Sequence, residues 1–439
     1  MAGGEAMNES QPREIRINVP VLARVEGEGA LELRVRDGDI EALRLRIYEP
    51  PRLFEKFLEG RDFFEVPDMV ARICGICPVA YQMSAVQALE AVAGCRPGPW
   101  VEAMRRVLYC GEWIQSHSLH IHLLAAPDFF GYASAPEMAR DFPEVVRRGL
   151  RLQERGNALM RLFGARSVHP VGVRVGGFYR APARDEVAEM VERLRAALPD
   201  AEALVAWTAA IDLPGEEQAF TSVALRHSED YPMYAGRLVS DSGLGIGIEE
   251  FENSFREYHR PHSTALHALL EGKPYLVGPL ARLNLNRDRL PPPVAEALER
   301  TGIAFPSRNP FHGIVARAVE IHLALLEAIR LLENYAPQVP WVSVQPRAGI
   351  GFGCTEAPRG ILWHRYETMA EGKIAAARIV PPTSQNQARI EEDLKQSLEA
   401  FGLDRTDDEL RLHGEKVIRN YDPCISCATH FLKLNVVRR

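Results

Sequence analysis

No apolar run in this chain is long enough to cross a bilayer. The longest stretches, such as Leu119 to Pro127, are broken by histidine and fall far short of the roughly 20 residues a membrane helix needs. Dense Lys/Arg blocks are also missing, and a formal net charge of −7 with a pI near 6.1 leaves no broad basic surface for phosphate backbones. A direct membrane span and a nucleic-acid partner are therefore not expected. The amino terminus, MAGGEAMNESQPREIR, lacks the apolar core of a secretory signal, so residues 1–13 read as a disordered leader. Cysteine is scarce and odd in number, seven in 439 residues, which suits a reducing, cytoplasmic setting better than a disulfide framework. With 46% hydrophobic and 25% charged residues, the chain has the composition of a globular protein with a large core.

Alternating residues over 15–49, broken by Gly27, Gly29 and the Asp37-Gly38 turn, predict two or three antiparallel strands. Beyond Phe54 the apolar spacing becomes helical over residues 79–92, 100–125, 142–162, 184–210 and 310–335. Residues 220–258 are mixed and read as a sheet insertion against the bundle. From Trp341 the chain turns to Gly- and Pro-rich loops and short strands, then to helices over 387–400 and 407–421. No internal repeat appears. The expected fold is mainly α: one domain over residues 14–430, a large helical bundle with small antiparallel sheets near the N- and C-terminal regions.

Two cysteine pairs carry the chemistry. Cys74 and Cys77 lie in RICGIC, Cys424 and Cys427 in DPCISC, each pair spaced so that both sulfurs converge on one metal. Soft thiolates select zinc, Fe–S clusters, Cu(I) or nickel, and the spacing alone does not name the metal. A structural zinc site is the bland alternative. Against it, such pairs usually lie roughly 15–20 residues apart because zinc staples a small module, whereas 347 positions separate Cys77 from Cys424.

The RxCGxC box, the DPCxxCxxH box, the RVEG turn at Arg24–Gly27 and the EAPRG loop at Glu356–Gly360, in this order across nearly the whole chain, resemble the nickel–iron hydrogenase large subunit. The ARVEGEG start, the SHSLHIHLLAAPD segment and the DPCISC ending look most like the cytoplasmic, NAD(P)-linked bidirectional group. The resemblance implies that all four cysteines bind nickel, with Cys77 and Cys427 also bridging to an iron that carries CO and cyanide. It implies heterolytic cleavage of H2 with Cys424 as the proton acceptor, Glu26 as the first carboxylate of the outward proton relay, and Arg359 as a guanidinium over the site. Pro358 would shape the Arg359 loop, Thr383 would donate to a cyanide, and Asp422 would stand as a carboxylate beside Cys424 and Arg359. Glu55, the Ile379 carbonyl and His430 would hold a magnesium or iron ion behind the active site.

Two positions depart from the membrane-bound uptake enzymes of this family: Ser116 stands where they carry an Asp, and Tyr81 where they carry a His. His117, His120 and His122 are read as hydrogen-bonded core residues rather than ligands, with His117 close behind the site. Nine residues, 431–439 (FLKLNVVRR), follow His430 and match an extension that a maturation endopeptidase removes once nickel chaperones have loaded the metal. Their loss would take the formal charge from −7 to −10. Cys95, Cys110 and Cys354 stand singly, so no Fe–S cluster is expected within this chain. The resemblance therefore implies an Fe–S small subunit and flavin and NAD(P)-binding diaphorase subunits as partners. A regulatory H2 sensor and a zinc-stabilised scaffold are the alternatives.

Overall fold

A computed structural model of the chain describes residues 14–429; the leader at 1–13, His430 and the tail at 431–439 lie outside the described residues. The first sheet is three antiparallel strands, Glu14–Val19, Gly29–Arg36 and Asp39–Ile47, paired in chain order. Burial alternates along the first strand, so one face meets the core and the other meets water. Asp37 and Gly38 both adopt positive φ (54° and 88°), as a two-residue hairpin turn requires.

The bundle follows. Helices Pro78–Ala93, Pro99–Leu119 and Pro143–Gly164 each begin with proline in the first turn, where its missing N–H costs nothing. Pro99–Leu119 packs against Pro143–Gly164 on one side and Gly313–Glu333 on another, and Gly313–Glu333 is buried over most of its length. These helices, together with the buried face of the first sheet, form one continuous apolar core. No helix among the described residues is long and apolar enough to cross a membrane.

Three expectations change. The helix expected over 184–210 is two helices, Arg184–Arg195 and Leu198–Ala209, because Pro199 cannot donate to the turn before it and restarts the helix. The segment around VPPTSQN, expected as loop and strand, starts the helix Pro382–Phe401 right after Pro381. Its Thr383, Ser384, Gln385, Asn386 and Gln387 are buried polar groups, so no apolar period marks them in the sequence. The EAPRG loop is a tight turn, Pro358-Arg359, joining strands Gly349–Ala357 and Gly360–Thr368 of a three-stranded antiparallel sheet completed by Ile374–Val380. The expected extent of 100–125 is met with a change of hydrogen bonding, as Pro99–Leu119 passes into a π-helical turn, His120–Ala125. The mixed region forms small sheets at 223–246 and 255–270, whose Val223, Leu225 and Phe255 pack with Phe251 and Trp363 in a second apolar cluster.

The Gly349–Ala357 strand lies directly on the Pro78–Ala93 helix. A Cβ at Gly353 would fall 2.0 Å from the Ser84 carbonyl oxygen, so only glycine permits this approach. Gly353→Ala is expected to destabilise the protein by about 1–3 kcal/mol through overpacking, seen as a lowered thermal midpoint.

Candidate metal centre

Cys77 precedes the Pro78–Ala93 helix as its N-cap, and Cys424 caps the four-residue helix Ile425–Ala428. The two loops meet in the core. Cys74 Sγ lies 3.4 Å from Cys424 Sγ, and Cys77 Sγ lies 3.6 Å from Cys427 Sγ. All four sulfurs sit within 4.8 Å of one another and all four residues are buried. Hydrogen bonds from Cys424, Cys427 and Cys77 pull the Cys74 thiol far down, while burial pushes Cys424 well up. Four buried thiols this close cannot all ionise without a cation among them.

Most of the other expected site residues gather around the sulfurs. Glu26 Oε2 is 3.1 Å from Cys424 Sγ and accepts from the Ser426 N–H (3.0 Å), while the Glu26 carbonyl accepts from the Ile425 N–H (2.9 Å). Burial, then the charge of Cys74, raises its carboxyl above the ordinary Glu value. Next to it, Gly27 has φ 90°, and a Cβ there would fall 2.7 Å from Ile425 Cβ, so glycine lets the two loops close. The Thr383 hydroxyl accepts from the Cys424 N–H (2.9 Å) and keeps its own proton to donate. Arg359 is 2% exposed. Its Nε donates to the Asp422 carbonyl (2.7 Å) and its Nη2 to Asp422 Oδ1 (3.0 Å), while Nη1 is buried with no hydrogen-bond partner among the described residues. Asp422 adopts φ 56°, a conformation Asp tolerates better than most side chains. Although burial opposes ionisation, Arg359, His120 and Arg317 hold its carboxyl below the usual range. Pro358 occupies the hairpin turn beside Arg359.

The second ion's expected ligands are brought together only in part. Glu55 Oε1 accepts from the Ile379 N–H (2.7 Å), which places the carboxylate at the expected strand through its amide, and His430 lies outside the described residues. Ser116 is buried with its hydroxyl unpartnered among the described residues, as is the hydroxyl of Tyr81.

The family description of nickel-dependent hydrogenases matches residues 52–142 and 269–430. The chain is 33% identical over 423 residues to sulfhydrogenase 1 subunit alpha of Pyrococcus furiosus, covering 95% of this chain and 98% of that one. It is 28% identical over 471 residues to the NAD-reducing hydrogenase HoxS subunit beta of Cupriavidus necator, covering 95% of each. Its fold superposes on a solved NAD+-reducing [NiFe]-hydrogenase in the H2-reduced state with a TM-score of 0.86 at 28% identity, covering 95% of this chain and 99% of that one. The chain belongs to the nickel-dependent hydrogenase family. It is a nickel–iron hydrogenase large subunit, and the four buried sulfurs, with an unpartnered guanidinium nitrogen beside them, fit the nickel–iron cofactor of that family. The zinc-scaffold alternative is set aside.

Behind the hydrogenase centre lies a charged frame that sequence reasoning missed. Arg282 is fully buried. Its guanidinium grips both Glu320 oxygens (2.8 and 2.7 Å), Glu356 Oε2 (3.0 Å), and the carbonyls of Ala357 (2.8 Å) and Pro358 (3.1 Å). Trp113 Nε1 donates to the Glu356 carbonyl (3.0 Å) and its ring lies under Arg282. Three successive carbonyls leading into Arg359 are thus pinned by side chains. Burial disfavours the Glu320 carboxylate, yet Arg282 brings it down to about 2, while burial lifts Glu356 to about 7. Arg317 Nη1 reaches Asp422 Oδ2 (3.3 Å) and His117 Nδ1 (3.3 Å), and His117 Nε2 lies 2.9 Å from Glu320 Oε2. At the Cys77 loop, Glu112 accepts from the Val79 (2.6 Å) and Ala80 (3.0 Å) N–H groups, satisfying the helix start that follows the cysteine. Charges in an apolar helix stripe, Arg317 and Glu320 between Ile314 and Leu323, were the available signal for this frame.

Replacing Arg282 by Met leaves Glu320 and Glu356 without their cation. It is expected to cost about 3–5 kcal/mol, read as a lowered unfolding midpoint of the purified protein.

The three histidines are core residues, as expected. His120 Nε2 meets the Arg419 carbonyl (2.8 Å), and His122 Nδ1 the Ser118 carbonyl (2.9 Å). Burial depresses His117 to about 4 and His120 and His122 to about 3, from 6.5. A depressed histidine contributes stability above its unfolded value and loses it as pH falls toward the folded one. Thermal midpoints are therefore expected to fall as pH drops below about 6.5 toward 4 and 3, and His120→Gln should flatten part of that fall.

Proposed function

We propose that this large subunit cleaves H2 reversibly at a nickel–iron pair held by Cys74, Cys77, Cys424 and Cys427, with Cys77 and Cys427 as the bridges to an iron bearing CO and cyanide. The pair, when bound, supplies the two-electron acceptor for heterolytic cleavage of H2. Cys424 takes the proton and Glu26 receives it from the sulfur. The observation that carries this reading is the 3.1 Å contact between Glu26 Oε2 and Cys424 Sγ, a carboxylate touching one thiolate of an otherwise sealed cluster. Arg359 Nη1, a buried donor without an acceptor among the described residues, supplies the hydrogen bond a cyanide needs, and Thr383 supplies a second. Asp422 fixes the Arg359 plane. Glu55, Ile379 and His430 hold magnesium or iron, with hard carboxylate oxygen favouring magnesium. Residues 431–439 are removed by a maturation endopeptidase after nickel chaperones deliver the metal.

The electrons leave through another chain. Among the described residues the four-cysteine group is the only one of its kind, and Cys110 packs against Met233 sulfur (3.9 Å). An Fe–S small subunit docks over the first cysteine loop. There the exposed Gly75 lies beside His169 and the exposed Val168. Likeness to the NAD-reducing hydrogenases supports a cytoplasmic enzyme that passes electrons on through flavin and NAD(P)-binding diaphorase subunits.

In the purified complex, Glu26→Gln is expected to lower H2-dependent activity by about 100-fold or more, with nickel content and the CO/CN infrared bands retained. Activity at the unaltered rate would sink the relay, and a co-expressed complex without nickel or those bands would sink the cofactor assignment.

A further inference from the structure

A second cluster of donors lies away from the sulfurs. His262 sits in the connection between strands Phe255–Tyr258 and His267–Leu270, His267 opens the second strand, and Glu391 projects from the Pro382–Phe401 helix. His262 Nε2 is 2.8 Å from Glu391 Oε1, and His267 Nε2 is 3.3 Å from Glu391 Oε2. One nitrogen from each imidazole and one carboxylate oxygen fall within 4.8 Å of one another. Both rings therefore turn Nε2 toward the carboxylate, one to each of its oxygens.

Burial and charge make this more than a hydrogen-bonded trio. The His267 side chain is fully buried, while His262 and Glu391 keep 17% and 19% exposure, so the cluster is closed on the protein side and open to water on the other. No Lys or Arg pairs with Glu391 among the described residues. A largely buried carboxylate with no Lys or Arg partner, facing two imidazole nitrogens, is a place where a metal ion can supply the balancing positive charge. The donors are also held from behind. The Leu45 N–H donates to Glu391 Oε1 (3.1 Å), the Tyr258 ring packs on His267 (5.5 Å between centroids), and Thr264 anchors the connection to the carbonyls of Ile47 (N–H, 2.8 Å) and Glu49 (hydroxyl, 2.9 Å). The Leu45 bond orients the carboxylate directly, while Nδ1 of His267 is buried with no hydrogen-bond partner among the described residues and the ring is held by packing.

We propose that His262, His267 and Glu391 form a binding site for a divalent first-row transition ion, of which zinc is the best match. Two imidazole nitrogens and one carboxylate oxygen, with a position left open to water, are a zinc donor set. The same set is too nitrogen-rich for magnesium. The ion would clamp three elements: the end of the Asp39–Ile47 strand, the hairpin, and the helix that carries Thr383, whose Gln387 also donates to the Leu45 carbonyl (3.1 Å). It serves as a structural clamp for the scaffold around the hydrogenase centre.

The test uses the whole purified complex, treated with chelator, re-titrated with zinc, and analysed for zinc, nickel and iron separately. The unaltered complex is expected to take up one zinc per large subunit more than either His262→Gln or Glu391→Gln, with zinc affinity at this site weakened at least about tenfold in each variant. Zinc should raise the thermal midpoint of the unaltered complex alone. His262→Gln keeps a hydrogen-bond donor toward Glu391 at a partly exposed position, so it removes the ligand nitrogen without emptying the core. Equal zinc uptake in all three proteins, or an equal rise in midpoint with magnesium, overturns the proposal.

Discussion

Everything around the centre follows from burying four sulfurs within 4.8 Å of each other. Thiolates concentrated in a low-dielectric interior repel one another, so the protein must bring fixed positive charge close by without letting that charge collapse onto the sulfurs. Arg359 and Arg317 do this as a pair, with Asp422 between them taking one arginine on each carboxylate oxygen. The carboxylate consumes enough of each guanidinium to fix its plane, yet leaves Arg359 Nη1 unpartnered and Arg359 under the influence of the cysteine charges.

A guanidinium in a two-residue hairpin turn would be poorly fixed by its own backbone. The solution lies one layer further out. Arg282 and Trp113 occupy the three carbonyls that lead into Arg359, and Glu320 and Glu356 balance Arg282. Each layer is satisfied by the next, so polar groups are buried throughout without isolated charge. Burial of such pairs adds little net stability; what it confers here is a single orientation for the loop.

The parts legible in the sequence were those whose chemistry is local. The two CxxC boxes, RVEG and EAPRG are short motifs, and Cys74, Cys77, Cys424, Cys427, Glu26, Arg359 and Asp422 do converge as their order implied. The amphipathic helices were equally visible, because 3.6-residue periodicity needs no knowledge of the partner. What escaped depends on distant pairing. Helix Pro382–Phe401 begins in polar residues that are buried because Asn386 bonds Val277 and Gln385 bonds the Ile361 carbonyl, contacts no window of sequence contains. The glycines of GIGFGC look like loop punctuation, yet they are what lets a strand lie flush on a helix. Arg282 reads as an unremarkable charge until the 38 residues that separate it from Glu320 are closed in space.

The two cysteine loops are not held alike. Cys77 begins a 16-residue helix sealed into the core, with Glu112 at its start, so its position is set by the bundle. Cys427 lies in a four-residue helix, far too short to persist by itself. Its loop is fixed instead by long-range bonds: Ile425 and Ser426 to Glu26, Cys424 to Thr383, Ser426 to Glu49, and Arg52, which joins the Ser426 carbonyl to that of Ile73 beside the first pair. Apart from Cys424 to Thr383 and Arg52 to Ile73, these form only when segments separated by hundreds of residues meet, so local propensity does not fix the second loop. The first pair rests on the bundle, whereas the second is held by Glu26, Thr383 and Arg52. That asymmetry puts Cys424, whose Sγ touches Glu26 Oε2, on the half that Glu26 itself holds in place.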